Sequence, residues 1–465
     1  MTDFSKLLNP EQCAAATAPD GPILVLAAAG TGKTRTLVHR VAYLVEQGVP
    51  PDRILLLTFT NRAAREMMER AEKVVGPEAY AIWSGTFHSI CARFLRRYGT
   101  FLGYSSGFSI VDEDDQKKLL NEIIKATVKD PKSFPKKEVV AKMISEAANE
   151  SKPLADIAAR WQSREAGFTP EEIVAVAAAY DKRKRELDAM DFDDLLVNGL
   201  KLLKTVDRVR EMLQEHFLYV LVDEYQDTNG LQAEFTDILA ARHRNIMAVG
   251  DDFQCIYTWR GAQIENILDF PKRWEGCQIV KLERNYRSVP GVLEVANAVM
   301  KGVSQNFEKQ LRPVRPDMGA RPILYSVHDG RVQAAEILNR IQVSRESGYR
   351  YSDMAVLYRS HFQSIEIQMT LARQGVPFRI TSGVGVFEQI HVKDVLAYLR
   401  LLLCPTDELS FRRFATLLPG VGEKTALGLW TKMGRRFDCH DAADRDKLGG
   451  LLGAKAKPVW PALYQ

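Results

Sequence analysis

The sequence predicts an α/β protein built on parallel sheets, and three observations carry that expectation. Short apolar runs bounded by turn residues, at 23–27, 54–58, 218–222 and 246–249, alternate with helical stretches, as buried parallel strands do. The first run leads into a glycine-rich loop, 28–34, that opens a helix at 35–45. The third ends in the acidic pair Asp223-Glu224, so two polar clusters stand at carboxyl ends of strands, where open parallel sheets bind ligands.

Each element follows from its local pattern. Between residues 100 and 215 the strand signals stop, and apolar periodicity predicts helices at 117–126, 138–148, 171–187 and 195–203, a helical insertion into the first α/β unit. A second α/β unit begins near Ile279, crosses a proline-punctuated stretch at 311–322 and carries strands at 323–327 and 354–358. From about Thr381 the chain turns helical, at 392–403 and onward. The expected boundaries are 1–98 with 216–278 for the first α/β unit and 99–215 for the insertion. The second α/β unit, represented by its N-terminal part, takes 279–380, and a partial helical subdomain takes 381–465. A chain of 465 residues exceeds one hydrophobic core, in keeping with roughly three folding units.

The bulk numbers exclude more than they assert. With 63 basic and 59 acidic side chains the net charge is +4, so any track for nucleic acid must be local. A hydrophobic share of 46% and a charged share of 26% are those of a globular chain and exclude disorder. The six cysteines (13, 91, 255, 277, 404 and 439) include no C-x-x-C pair, which argues against zinc, an iron–sulfur cluster or a disulfide framework and for a reducing, cytoplasmic setting. No segment approaches the ~20 apolar residues of a membrane span, and residues 1–10 lack a signal-peptide core, so neither export nor membrane insertion is expected.

The loop 28–34 reads Ala-Ala-Gly-Thr-Gly-Lys-Thr, a P-loop in its strand–loop–helix context. Backbone N–H groups of Ala29, Gly30, Thr31 and Gly32 are expected to close around phosphate oxygens, with Arg35 following on the helix. Lys33 reaches the terminal phosphates and the Thr34 hydroxyl ligates magnesium. Ala27 stands where such loops usually open on glycine. Asp223 is the expected second magnesium ligand, and Glu224 the base that orients the attacking water. An acidic pair after a strand is by itself usually a solvated loop; beside a P-loop it gains a role. ATP and Mg2+ are the expected cofactors.

Longer segments carry a family resemblance. They are Leu-Asn-Pro-Glu-Gln (8–12), Thr-Phe-Thr-Asn-Arg-Ala-Ala (58–64), Gly-Thr-Phe-His-Ser (85–89) and Asp-Phe-Asp-Asp-Leu-Leu (191–196). To these add Leu-Val-Asp-Glu-Tyr-Gln-Asp-Thr-Asn (221–229), Val-Gly-Asp-Asp-Phe-Gln-Cys-Ile-Tyr-Thr-Trp-Arg-Gly-Ala (249–262) and Leu-Glu-Arg-Asn-Tyr-Arg-Ser (282–288). In this order they resemble the motifs of superfamily-one helicases of the UvrD/Rep/PcrA type, over about residues 8 to 430. The resemblance implies a P-loop NTPase with RecA-like parallel sheets, a helical insertion in the first lobe, and an incomplete second lobe followed by a partial helical domain.

It also implies roles. Gln12 reads the adenine edge, a task for an amide that donates and accepts. Tyr286 stacks on adenine and Arg287 reaches the γ-phosphate. Gln254 senses that phosphate and passes its state to the DNA site through Tyr257, Trp259 and Arg260. Single-strand motors need π-faces for unstacked bases, and Phe59, Phe192, Tyr257 and Trp259 are the candidates, with Arg260 and His88 for phosphate or base contact. Further on, Leu-Pro-Gly-Val-Gly-Glu-Lys-Thr-Ala (418–426) resembles the hairpin of a helix-hairpin-helix, in which Gly420, Gly422 and Lys424 meet duplex phosphate; a plain glycine turn is the alternative.

Two departures from the family pattern stand out. Ala28 occupies a position where many members have glycine, so a slightly altered loop is expected. After the hairpin neither the Thr-Leu-His-x-x-Lys-Gly-Leu-Glu nor the Tyr-Val-x-x-Thr-Arg type motif follows before Gln465. The second carries a further arginine finger, whose loss slows turnover by roughly 10³–10⁵. The leading expectation is a DNA-stimulated ATPase and helicase moving 3′ to 5′ in repair or replication restart. It would act on single-stranded DNA and single/double-strand junctions, with repair or replication proteins as partners and no membrane. The alternatives are a nucleotide-responsive single-stranded-DNA-binding module with little turnover and the motor portion of a helicase–nuclease.

Overall fold

The computed structural model describes residues 2–165, 167–303, 307–381 and 390–463, the side chains of 260, 361, 462 and 463 excepted. The chain forms two compact units, Met1–Ala320 with Thr406–Leu409, and Arg321–Pro405 with Ser410–Gln465.

The first unit is organised by strands β1 (Ile23–Ala27), β2 (Ile54–Thr58), β3 (Trp83–Thr86), β4 (Ser109–Ile110), β5 (Ala189–Met190), β6 (Tyr219–Val222), β7 (Ile246–Gly250) and β8 (Gln278–Leu282). Six of them make one sheet in the order β3-β2-β6-β7-β1-β8. Every pairing in it is parallel, for example Val25 opposite both Val249 and Val280. Strands β1, β2, β6 and β7 are buried along their whole length, which is why they read as continuous apolar runs. Their side chains alternate between two cores. Leu24, Leu26, Leu55, Leu57, Val220 and Val222 face one, and Ile23, Val25, Ile54, Leu56, Leu221 and Met247 face the other. Each such side chain contributes roughly 1.5–3 kcal/mol when fully buried.

Several expectations change. Gln278–Leu282, assigned to the start of a second α/β unit, is the edge strand beside β1, with Val280 and Leu282 buried on the core holding Val25. β3 was unread, since Trp-Ser-Gly-Thr offers no apolar period. The insertion expected at 99–215 divides: Leu119, Leu120, Val140, Ile157, Ile173 and Tyr180 share a separate core, while Leu195, Leu200, Val209 and Leu213 pack on the main sheet. The short parallel pair β4–β5 brackets that separate core, with Ser109 opposite Ala189.

In the second unit the runs at 323–327 and 354–358 form no ladder among the described residues. Tyr325, Val327, Val356 and Leu357 line a groove of about 520 Å³ against the helix Gly330–Glu346, while Leu324 and Leu357 are 96% and 94% exposed. With one side of each run in water, burial does not impose a register. The helices Gly330–Glu346 and His361–Arg373 pack through Ala334, Ile367 and Leu371. Beyond them Phe411, Phe414, Trp430, Phe437 and Trp460 form an aromatic core.

Candidate functional site

Four adjacent strands, β6, β7, β1 and β8, deliver their C-terminal ends side by side. They carry Asp223-Glu224, Asp251 to Gln254, the P-loop, and Arg284 to Arg287 respectively. The parallel order therefore gathers segments more than 250 residues apart in sequence along one edge, the ligand-binding edge of such sheets.

The P-loop is built around two glycines. Gly30 and Gly32 have φ of 77° and 94°, a region that L-residues with a side chain rarely adopt. A Cβ on Gly30 would stand 2.6 Å from Arg287 Cβ, and one on Gly32 would stand 2.4 Å from Gln12 Nε2. Thr31 closes the turn by donating its N–H and hydroxyl to Ala28 O. Ala28 does not need glycine's freedom: it is absent from the positive-φ positions and is buried beside Leu293 and Leu311. The helix Lys33–Glu46 starts from Gly32 with no side-chain cap, so its first amides are left to an anion.

Lys33 Nζ meets Glu224 Oε2 at 2.6 Å. Glu224 itself sits at φ 51°, ψ 46°, a strained left-handed position for a side-chain-bearing residue, which aims its carboxylate at the loop. Gln226 ties the acidic segment to its neighbour, donating to Glu224 Oε2 at 3.0 Å and accepting from Asp251 N at 2.9 Å. Asp223 is buried, and its Oδ1 has no hydrogen-bond partner. Burial first, and then Glu224, push its carboxyl up to about 7, with Lys33 opposing. A bound cation would satisfy the orphaned Asp223 oxygen, and magnesium takes one or two protein ligands and completes its shell with phosphates and water. Asp223 and the Thr34 hydroxyl on the first helical turn fit that requirement.

The expected adenine side is also assembled. Gln12 is buried, donates from Nε2 to Thr31 O at 2.8 Å and accepts at Oε1 from Asn9 N at 3.3 Å. Asn9 in turn donates to the Tyr286 hydroxyl at 2.8 Å, and Tyr286 N donates to Gly30 O at 2.9 Å. Tyr286 keeps 42% of its surface exposed, leaving a ring face for a base. Asn285, which the sequence reading did not single out, donates to Ala29 O at 2.6 Å and accepts from Arg287 N at 2.9 Å, so it anchors this segment to the loop. Arg35 turns away, its guanidinium donating to Leu7 O. Gln254 donates to Asp251 Oδ2 at 2.5 Å.

The expected stacking residues fall into two groups within the first unit. Phe59, after β2, lies 5.1 Å from the Tyr257 ring, which lies 6.1 Å from that of Trp259, itself 68% exposed. His88, after β3, meets the exposed Phe192 edge-on at 6.0 Å. Burial holds the His88 imidazole below its ordinary pKa, so at neutral pH it offers a neutral ring. Asn149, also unread in the sequence, bridges the neighbouring segments: it donates to Asp193 Oδ1 at 3.2 Å and accepts from Asn229 at 2.6 Å. The side chain of Arg260 lies outside the described residues. In the second unit Gly420 has φ 78°, Gly422 caps the helix Glu423–Lys432, and Lys424 is exposed, which is the geometry of a tight turn between helices.

Comparison with known proteins gives the family. Residues 8–275 match the UvrD/REP helicase N-terminal domain, and residues 280–448 match the UvrD-like helicase C-terminal domain. The chain is 41% identical over 413 residues to the ATP-dependent DNA helicase PcrA of Bacillus subtilis, covering 88% of this chain and 55% of that protein. It is 38% identical over 407 residues to the protein of the same name from Staphylococcus aureus, again covering 87% of this chain and 55% of the relative. The chain thus spans little more than half the length of these relatives.

Proposed function

The chain belongs to the UvrD/REP helicase family, and from that premise we propose that it is an ATP-dependent DNA helicase whose hydrolysis is stimulated by single-stranded DNA. The observation that carries the proposal is the meeting of Lys33 and Glu224 at 2.6 Å beside the buried, unpartnered Asp223 oxygen.

In this reading the P-loop amides and Lys33 bind the triphosphate, and Gln12, Asn9 and Tyr286 receive the adenine. Glu224 takes a proton from, and orients, the water that attacks the γ-phosphorus. Asp223 and Thr34 would hold magnesium, which when bound would offset phosphate charge and polarise the transferring group. Arg287 and Gln254 stabilise the terminal phosphate. Release of that phosphate removes its contact with Gln254, and the change passes along the short sequence path to Tyr257 and Trp259, which grip unpaired bases together with Phe59, Phe192 and His88. Arg260 and the hairpin residues Gly420, Gly422 and Lys424 meet backbone phosphates. Movement from 3′ to 5′, a setting in DNA repair or replication restart, a cytoplasmic location and partner proteins of that machinery complete the proposal. No helix among the described residues is long and apolar enough to cross a membrane.

The test is ATP hydrolysis by the chain with and without single-stranded oligonucleotide. Activity that rises with oligonucleotide and falls by about 10²-fold or more in Lys33→Ala and Glu224→Gln supports it. DNA binding with no stimulated hydrolysis would instead favour a nucleotide-responsive binding module. Polarity is read separately, from displacement of duplexes bearing a 3′ or a 5′ single-stranded tail.

A further inference from the structure

The segment 307–313 lies outside every motif used above, yet it touches both loops assigned to the terminal phosphate. The Lys309 side chain is 1% exposed, and its ammonium pairs with Asp251 and Asp252, whose side chains are 4% and 0% exposed. The ring of Phe253 adds a third wall, its centroid 4.8 Å from Nζ. The remaining oxygens of the two carboxylates are also engaged. Asp251 Oδ2 accepts from Gln254 Nε2 at 2.5 Å, and Asp252 Oδ2 accepts from Phe307 N at 2.9 Å. Just downstream, β10 (Arg312–Pro313) pairs in parallel with β9 (Arg284–Asn285). Asn285 Oδ1 then accepts the amides of Arg287 and Ser288 at 2.9 and 2.7 Å. One strap therefore sets the carboxylate that aims Gln254 and the backbone that presents Arg287.

We propose that Lys309 is a positioning residue for the terminal phosphate, locking the Asp251–Asp252 pair so that the Gln254 amide is held for a triphosphate. The inference rests on the nucleotide-site reading above. Two adjacent buried carboxylates without a cation repel one another, and one must protonate or turn away. Asp251 then stops presenting its acceptor to Gln254. The defect concerns a contact made to the third phosphate, so it separates binding of a triphosphate from binding of a diphosphate.

The experiment measures the affinities of the full chain, with Mg2+, for fluorescently labelled ADP and for a labelled non-hydrolysable ATP analogue. The wild-type chain is expected to prefer the analogue by about tenfold or more, the worth of one charge-assisted hydrogen bond. Lys309→Met is expected to bring that ratio to about one while ADP affinity changes less than about threefold. Gln254→Ala does the same, and the Lys309→Met/Gln254→Ala double variant loses no more, because the two act through one contact. Should Lys309→Met fail to fold, Lys309→Met/Asp252→Asn removes one buried charge of each sign and with it the repulsion, so its ratio is expected to stay near the wild-type value. A preference kept in Lys309→Met, or lost in Lys309→Met/Asp252→Asn, overturns the proposal. So does an equal loss of both affinities, the mark of a merely structural residue, or a wild-type chain with no preference. Binding of both nucleotides that is indifferent to Lys33→Ala sinks the underlying phosphate-site reading instead, and the proposal with it.

Discussion

At the scale of single residues, the site is a set of groups kept in uncomfortable places. Asp227 is buried with an orphaned Oδ1, and burial followed by the nearby Glu224 pushes its carboxyl up to about 7. Its folded pKa lies above the ordinary carboxylate value of 3.8, so the folded chain binds the extra proton. Stability contributed here falls as pH rises from about 4 to about 7 and is level beyond. Asp227→Asn should therefore stabilise the chain by ~1–3 kcal/mol at pH 8 and by much less near pH 4, as read by thermal unfolding. A gain independent of pH would contradict that account. Gly32 is placed under the opposite demand, for space and for positive φ. Gly32→Ala brings a methyl within 2.4 Å of Gln12 Nε2 at φ 94°. Strain of ~1–3 kcal/mol is expected to appear as roughly tenfold or greater loss of nucleotide affinity by equilibrium titration. The glycines, Lys33 and the acidic pair were legible because their chemistry is local in sequence. Asn285, Asn149 and Lys309 were not, since a lone amide or lysine in a polar stretch reads as solvated until a partner as distant as Ala29, Asn229 or Asp251 is brought to it.

At the scale of elements, β1, β2, β6 and β7 were legible because strands buried on both faces must be continuously apolar. Edge strands escape that rule. β3 is half-buried at Trp83 and Ser84, and the pattern of β8 leaves Gln278, Ile279 and Lys281 exposed, so neither the existence of the one nor the sheet of the other follows from composition. The sheet order separates the two proposed sites, since the segments after β6, β7, β1 and β8 carry the residues proposed for nucleotide while those after β2 and β3 carry Phe59 and His88. The aromatic row depends on its middle member. Tyr257 lies against both Phe59 and Trp259, so Tyr257→Ala removes a base face and the packing that orients two others. A loss of ~1–3 kcal/mol in affinity for single-stranded oligonucleotide is expected, with the salt dependence of binding unchanged because no cation is removed. Fluorescence anisotropy at several salt concentrations reads both quantities. Unchanged affinity at every salt concentration would place the ring outside the DNA track.

At the scale of the whole molecule, the residues proposed to contact nucleotide lie within Met1–Ala320, with its own sheet and cores. Just after β10, every residue from Val314 to Ser326 is exposed, among them Arg315 and Arg321. A stretch so placed has little backbone burial to lose when it is cut. Brief trypsin treatment of the native chain should therefore cleave first there, and the N-terminal product should still bind nucleotide, because the strap 307–313 with Lys309 remains attached to it. Adding the ATP analogue should protect the N-terminal product against further cleavage in proportion to site occupancy, since cuts within its sheet and strap require an opening that bound nucleotide opposes. Cleavage that instead begins inside the helices of 113–186 would contradict the exposure argument, and a fragment ending before Phe307 that binds nucleotide as well as the intact chain would show that the strap is dispensable to the site.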